Sequence, residues 1–293
     1  MVETILIVSN VAKKYLKISE TTTDGFNVIT ADKINYTKFI DDADYIIAGE
    51  ELYTEKMISS AKRLKLISRC GHGTDNIVKD IVPVLDCRGT LDRTIAEVVV
   101  GYIIMCLRHL KLLDNKCRQG IWSRTYGNTM EDKTLGIIGY GGMGKHVGIL
   151  CSKLDMNILH YDLAPSRCNC TFEQLLKHSD VITCHCDLNH SSYHLINENV
   201  IKQMKKDVIF INTSRGGIVN EKDLIQNIHK FRYVVLDVVE KEPLAPGSKL
   251  FKYDNIIFGS HSAGYTEEGH RKMADASLQN ILNFSKKGGH NVV

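Results

Sequence analysis

Proline is scarce: four in 293 residues, so no proline-rich linker divides the chain. There is a single tryptophan, Trp122, and no repeat or low-complexity tract. A long apolar run is also missing. The longest uncharged stretch of the most apolar helix candidate, residues 98–107, is too short to span a bilayer, so no membrane partner is expected. The start, Met1-Val-Glu-Thr-Ile-Leu-Ile-Val8, has no basic segment or cleavage site. It reads as a first buried strand and not as a signal peptide. Neither sign of charge dominates: a formal net +3, spread along the chain, argues against nucleic acid as the main partner. Cysteine is plentiful, but nine residues at irregular spacing do not suggest a disulfide framework and fit a reducing cytoplasm. The pairs Cys168/Cys170 and Cys184/Cys186 are C-x-C and not the wider spacing usual for zinc; they read as small buried side chains with no metal.

What is present is globular. Hydrophobic residues make up 43% and charged residues 24%. The length exceeds what one core usually serves, so two domains are expected. Short apolar runs at 5–8, 26–30, 44–48, 64–68 and 82–86 alternate with polar or amphipathic stretches, which predicts a parallel sheet with helices on its faces. Residues 96–113 predict one long buried helix, followed by a polar loop to residue 133. Alternation resumes from residue 134, with strands near 181–184, 208–212, 233–237 and 255–258, giving a doubly wound domain. Residues 266–284 have helical spacing and are expected to return to the first domain. The expected boundaries are 1–94, 95–264 and 265–293.

Residues 134–144 read Thr-Leu-Gly-Ile-Ile-Gly-Tyr-Gly-Gly-Met-Gly, an apolar strand running into G-x-G-x-x-G. Gly139 would make the tight turn, Gly141 would let the backbone approach a pyrophosphate, and Gly144 would let helix and strand pack closely. A second strand-like run ends at Asp162, eighteen residues beyond Gly144. Its carboxylate would accept hydrogen bonds from a ribose 2′-hydroxyl and repel a 2′-phosphate, so NAD is favoured over NADP. Arg167, five residues on, reads as a surface arginine.

Three later segments at strand ends carry residue types suited to redox chemistry on an α-hydroxy acid. In Ile211-Asn-Thr-Ser-Arg-Gly-Gly-Ile-Val-Asn220, Arg215 offers a fork of two parallel donors to a carboxylate. Leu236-Asp-Val-Val-Glu-Lys-Glu-Pro243 offers Asp237, Glu240 and Glu242. Ser260-His-Ser-Ala-Gly264 offers His261, a group able to move a proton either way near neutral pH. A carboxylate beside that ring would stabilise the imidazolium and fix its orientation, and either Glu242 or Glu240 could serve. Gly216 and Gly217 read as permitting an unusual backbone turn.

Together with Ser68-Arg-Cys-Gly-His-Gly-Thr-Asp-Asn76 and Gly120-Ile-Trp122, these segments resemble the D-isomer-specific 2-hydroxyacid dehydrogenase family over nearly the whole chain. The resemblance implies a Rossmann-type NAD domain and a smaller flavodoxin-like α/β substrate domain built from both chain ends, and commonly a homodimer. It implies hydride exchange between a small 2-hydroxy acid and its 2-oxo acid. Arg215 then binds the substrate carboxylate and carbonyl, His261 is the acid/base and Glu242 its partner. Gly71, His72 and Gly73 hold the carboxylate through backbone N–H groups. Gly139, Gly141, Gly142, Met143, Gly144, Asp162, Cys186, Thr213, Asp237 and Gly264 face the cofactor, with Asp237 on the nicotinamide amide. Gly142-Met143 departs from a basic residue and isoleucine found in many members, removing a pyrophosphate contact. Asp187 adds a charge beside Cys186. Glu50 and Glu51 stand where phosphoglycerate enzymes often carry an arginine, which disfavours a phosphorylated substrate. Phosphoglycerate dehydrogenase is the alternative within the class, and an NAD(H)-sensing scaffold is the alternative outside it. Residues 288–293 resemble the end of the common core, so no regulatory extension is expected.

Overall fold

The chain organises around two separate parallel sheets, seen in a computed structural model that describes residues 2–16, 22–23 and 25–286. The expectation for residues 288–293 lies outside the described residues. One unit comprises Met1–Leu91 with Tyr265–Val293, and the other Asp92–Gly264.

The first unit holds β1 (Thr4–Ile7), β2 (Thr22–Thr23), β3 (Phe26–Thr30), β4 (Tyr45–Ala48), β5 (Leu66–Arg69) and β6 (Val84–Leu85). They lie in the order β2-β3-β1-β4-β5-β6, all parallel except the β2–β3 pair. Leaving out β2, the order is that of flavodoxin-like sheets. β1 and β4 are buried on both faces, which is why they read as unbroken apolar runs and not as alternating ones. Helix α1 (Asn10–Tyr15) is capped by Ser9, whose hydroxyl accepts from Ala12 N–H, and α2 (Glu55–Ser60) is capped by Thr54.

The second unit opens with α3 (Asp92–Leu107) and α4 (Leu110–Arg118), where the sequence predicts one helix. The break falls at His109, whose φ of 55° is left-handed and cannot continue an α-helix. Its Nδ1 lies 2.9 Å from the Tyr233 hydroxyl, a tertiary contact with no local sequence signal. Six parallel strands follow: β7 (Thr134–Ile138), β8 (Asn157–Tyr161), β9 (Val181–Cys184), β10 (Val208–Asn212), β11 (Phe231–Leu236) and β12 (Ile256–Phe258). Between them run α5 (Gly142–Ser152), α6 (Phe172–His178), α7 (Glu198–Gln203) and α8 (Glu221–Gln226). The order β12-β11-β10-β9-β7-β8 reverses at β7, and in doubly wound sheets ligands bind at such a switch point, here the carboxyl ends of β7 and β9. The core of this sheet includes Phe210, Ile182, Leu175 and Val234, all fully buried.

Helix α9 (Glu267–Lys286) returns to the first unit, where Asn280 donates to Ser68 Oγ and to the Asp86 carbonyl. No described helix is long and apolar enough to cross a membrane.

Candidate active site

The glycine-rich turn after β7 shows a different physical demand at each glycine. Gly139 has φ 89°, and a Cβ there would lie 2.6 Å from the Cys186 backbone nitrogen. Only glycine meets both conditions. A Cβ on Gly141 would meet nothing within 4 Å, which leaves its surface open to an approaching group. A Cβ on Gly144 would lie 2.2 Å from the Gly139 carbonyl oxygen, so its absence lets α5 close onto the turn. At the end of β8, the Asp162 carboxylate accepts from Tyr140 N–H at 2.8 Å and Ala164 N–H at 2.9 Å. The acid is therefore held beside the turn. Arg167 is exposed.

Gly142 makes a demand of its own. A Cβ there would lie 2.1 Å from Asp92 Oδ2, so this glycine admits a carboxylate from α3 against the first turn of α5. Met143 is half-buried in that same turn.

Two buried polar atoms at neighbouring strand ends have no hydrogen-bond partner among the described residues: His185 Nδ1 after β9 and Thr213 Oγ1 after β10. Burial holds the His185 ring neutral, its pKa pushed down to about 4, and pushes the Cys186 thiol up to about 11. His185 was not among the expected site residues. It sits between Cys184 and Cys186, where the two thiols are the stronger local signal. An open glycine backbone, an acid at the end of the second strand and orphaned hydrogen-bonding atoms fit an extended dinucleotide such as NAD. Gly139, Gly141 and Gly144 would cradle its pyrophosphate, and Asp162 would hold its ribose.

Past β11 and β12 the chain brings an acid and a histidine together. His261 Nδ1 lies 2.7 Å from Glu242 Oε2. Of the two candidate acids it is Glu242 that meets His261. Glu240 turns away, its Oε1 lying 3.0 Å from His194 Nε2. The other Glu242 oxygen accepts from Val239 N–H at 3.1 Å, which ties the carboxylate to its own turn. Ser260 and His261 are both left-handed, with φ 57° and 54°. What holds this backbone is Asp237, 3% exposed, whose carboxylate accepts from Ser262 N–H at 3.0 Å and Ala263 N–H at 3.1 Å. Burial pushes the Asp237 carboxyl up, and the two N–H bonds and the His261 charge offset this only in part. Asp237 is thus a cap for the loop that runs through His261 to Gly264.

Arg215 follows β10, where Asn212 folds the chain: its Oδ1 accepts from Ser214 N–H and its Nδ2 donates to the Arg215 carbonyl. Gly216 needs no left-handed backbone, contrary to expectation. A Cβ there would lie 1.9 Å from the Val239 carbonyl oxygen, so the missing side chain lets the Arg215 segment press against the turn that carries Glu242.

In the first unit, Gly71, His72 and Gly73 follow β5. Gly71 N–H donates to the Arg69 carbonyl at 2.8 Å, a tight turn that sets the course of His72 and Gly73. A Cβ on Gly71 would meet the Arg69 guanidinium at 2.4 Å. Glu51 is also corrected. It is 6% exposed and accepts from Gly49 N–H and the Tyr53 hydroxyl, so it stabilises its own loop and only Glu50 is exposed there.

A family model described as the D-isomer specific 2-hydroxyacid dehydrogenase NAD-binding domain matches residues 100–263. The chain belongs to the D-isomer-specific 2-hydroxyacid dehydrogenase family. As a member it is an NAD-dependent oxidoreductase of 2-hydroxy acids. A glyoxylate reductase of Thermofilum pendens is 31% identical, covering 78% of this chain and 74% of the relative. A D-3-phosphoglycerate dehydrogenase of Archaeoglobus fulgidus is 32% identical, covering 82% of this chain but 49% of the relative. The solved structure of a glyoxylate reductase from Paecilomyes thermophila superposes with a TM-score of 0.86 at 25% identity, covering 98% of this chain and 96% of that one. The fold is accordingly a Rossmann-type sheet with a smaller flavodoxin-like α/β unit.

Proposed function

We propose that this dehydrogenase works as a reductase of a small, unphosphorylated 2-oxo acid, with His261 as the proton donor. The observation that carries the reading is the 2.7 Å contact between His261 Nδ1 and Glu242. An ionised carboxylate can only accept, so Nδ1 keeps its hydrogen and Nε2 is the atom that passes a proton to the substrate's carbonyl oxygen. Glu242 stabilises the imidazolium between turnovers. Arg215 binds the carboxylate and steadies charge developing on that oxygen. The backbone N–H groups at Gly71, His72 and Gly73 are proposed as further carboxylate donors. Asp162 favours the unphosphorylated ribose. Bound NADH supplies the hydride. Exposed Glu50 disfavours a phosphate, and the similarity to glyoxylate reductases supports a short substrate.

The test is NADH and NADPH consumption with glyoxylate, hydroxypyruvate, pyruvate and phosphohydroxypyruvate. Turnover is expected with NADH and one of the unphosphorylated acids. A preference for phosphohydroxypyruvate would make this a phosphoglycerate dehydrogenase, and NADH binding without turnover would make it a sensing scaffold.

The same reading includes a reducing cytoplasm, which the nine free cysteines support, and a homodimer. Past α4, Ile121, Trp122 and Tyr126 are 49%, 88% and 100% exposed, and a second copy would cover this apolar segment. Light scattering should give twice the 33.0 kDa chain mass; a monomer at micromolar concentration would refute it.

A further inference from the structure

The Glu242–His261 contact depends on a turn that has little to hold it from within. Between β11 and Pro243 the chain makes one internal side-chain bond, Val239 N–H to Glu242 Oε1 at 3.1 Å. If residue 239 moved, the Glu242 carboxylate would turn with it. Two outside contacts prevent this. The first is the close approach of the Val239 carbonyl to Gly216. The second is a reciprocal pair: Glu240 N–H donates to Glu221 Oε1 at 2.8 Å, and Glu221 N–H donates to Glu240 Oε1 at 3.0 Å. Glu240 Oε1 also lies 3.0 Å from His194 Nε2, but without hydrogen-bond geometry, so the reciprocal pair carries the hold.

His194 is itself well placed. Its N–H donates to the Gly217 carbonyl at 2.8 Å and its ring stacks on Tyr193 at 4.0 Å between centroids. The segment 194–196 runs alongside 217–220 through Ile196 N–H to the Ile218 carbonyl and Asn220 N–H to the Ile196 carbonyl. Three stretches distant in sequence therefore meet at one glutamate. One of them, 216–221, begins next to Arg215. Two carboxylates so close repel each other, and burial adds to this by pushing the Glu221 carboxyl up. Each acid offsets the cost by accepting from the other's backbone.

We propose that Glu240, clamped by Glu221, is the positioning residue that holds the turn after β11 so that Glu242 reaches His261 in register with Arg215. This rests on the assignment of Glu242 and His261 as the proton-transfer pair. Glu240 touches neither ring nor substrate; it acts through Glu242. Its effect must therefore vanish when Glu242 has already lost its charge.

The experiment is a double-mutant cycle in the full chain with NADH and the best 2-oxo acid from the panel. E240A is expected to lower kcat about ten- to hundred-fold while NADH affinity, read by cofactor fluorescence, stays within about two-fold. E240Q keeps an amide oxygen for Glu221 N–H and should recover kcat to within about three-fold of the parent. In an E242Q background, E240A should cost less than about three-fold more, because the group it positions no longer works. If E240A fails to give a native circular dichroism spectrum, E221A, which removes the acceptor of Glu240 N–H, carries the same cycle with a smaller first step. Equal losses in both backgrounds, or an E240A enzyme with normal kcat beside an impaired E242Q, would overturn the clamp alone. A normal kcat in E242Q would remove the proton-transfer assignment and the clamp with it.

Discussion

Replacing His261 by asparagine is expected to lower kcat by about a hundred- to ten-thousand-fold, the usual worth of a positioned acid/base. NADH affinity should stay within about two-fold, since the ring belongs to the proton-transfer end of the site. Asparagine is the informative replacement for a backbone reason. Position 261 has φ 54° and follows Ser260 at φ 57°, and asparagine tolerates the left-handed region better than alanine does. The loop should stay in place, because it is held from outside the ring: His261 N–H donates to the Asp237 carbonyl at 2.6 Å, and the Asp237 carboxylate takes the next two N–H groups. The amide can still donate to Glu242, but it cannot take up and release a proton near neutral pH. The loss thus reports proton transfer and not a collapsed turn. Stopped-flow and steady-state rates with saturating NADH decide it; an unchanged kcat would falsify the acid/base assignment.

How much of this was readable in advance follows from the range of each contact. Strands such as Thr4–Ile7 and Tyr45–Ala48 were legible because both faces are buried, so each appears as an apolar run bounded by polar residues. The glycine motif was legible because a turn, an open surface and a close helix lie within six residues, even though the backbone at 185–186 adds a distant demand at Gly139. Glu240 and Glu242 were not separable. They stand two apart on one turn, and their partners, Glu221 with His194 and His261, come from other loops. Glu51 was grouped with Glu50 although its partners, Gly49 N–H and the Tyr53 hydroxyl, are only two residues away, because residue type alone does not show that the loop folds back on this carboxylate. Gly216 looked like a turn glycine, yet what excludes a side chain there is the carbonyl of Val239, twenty-three residues on. The helix break at His109 was hidden for the same reason: its anchor is Tyr233. Local demands leave local patterns, whereas demands made by a neighbouring loop look like ordinary residues.

Gly139 and Gly141 allow the dinucleotide assignment to be tested apart from folding. Alanine at 139 must adopt φ 89°, and its Cβ would fall 2.6 Å from Cys186 N and 2.7 Å from the His185 carbonyl carbon. Both are backbone atoms that cannot swing aside. The left-handed strain alone costs about 1–2 kcal/mol, and the clash must push the turn away from the end of β9. G139A is therefore expected to lower the unfolding midpoint and to weaken NADH binding by about a hundred-fold or more, which corresponds to roughly 2.7 kcal/mol. Alanine at 141 differs. Its Cβ would meet no protein atom within 4 Å, and Gly141 has an extended φ of −77° that alanine accepts. Stability should be unchanged. If a pyrophosphate lies against that backbone, however, the methyl group occupies its space, and NADH affinity should fall about ten-fold or more at constant midpoint. Thermal unfolding and cofactor fluorescence on the two variants separate the two effects. An unstable G141A would mean that the open space is illusory. A stable G141A that binds NADH as tightly as the parent would mean that the phosphates lie elsewhere, and Asp162 would then lose its place as the ribose acceptor as well.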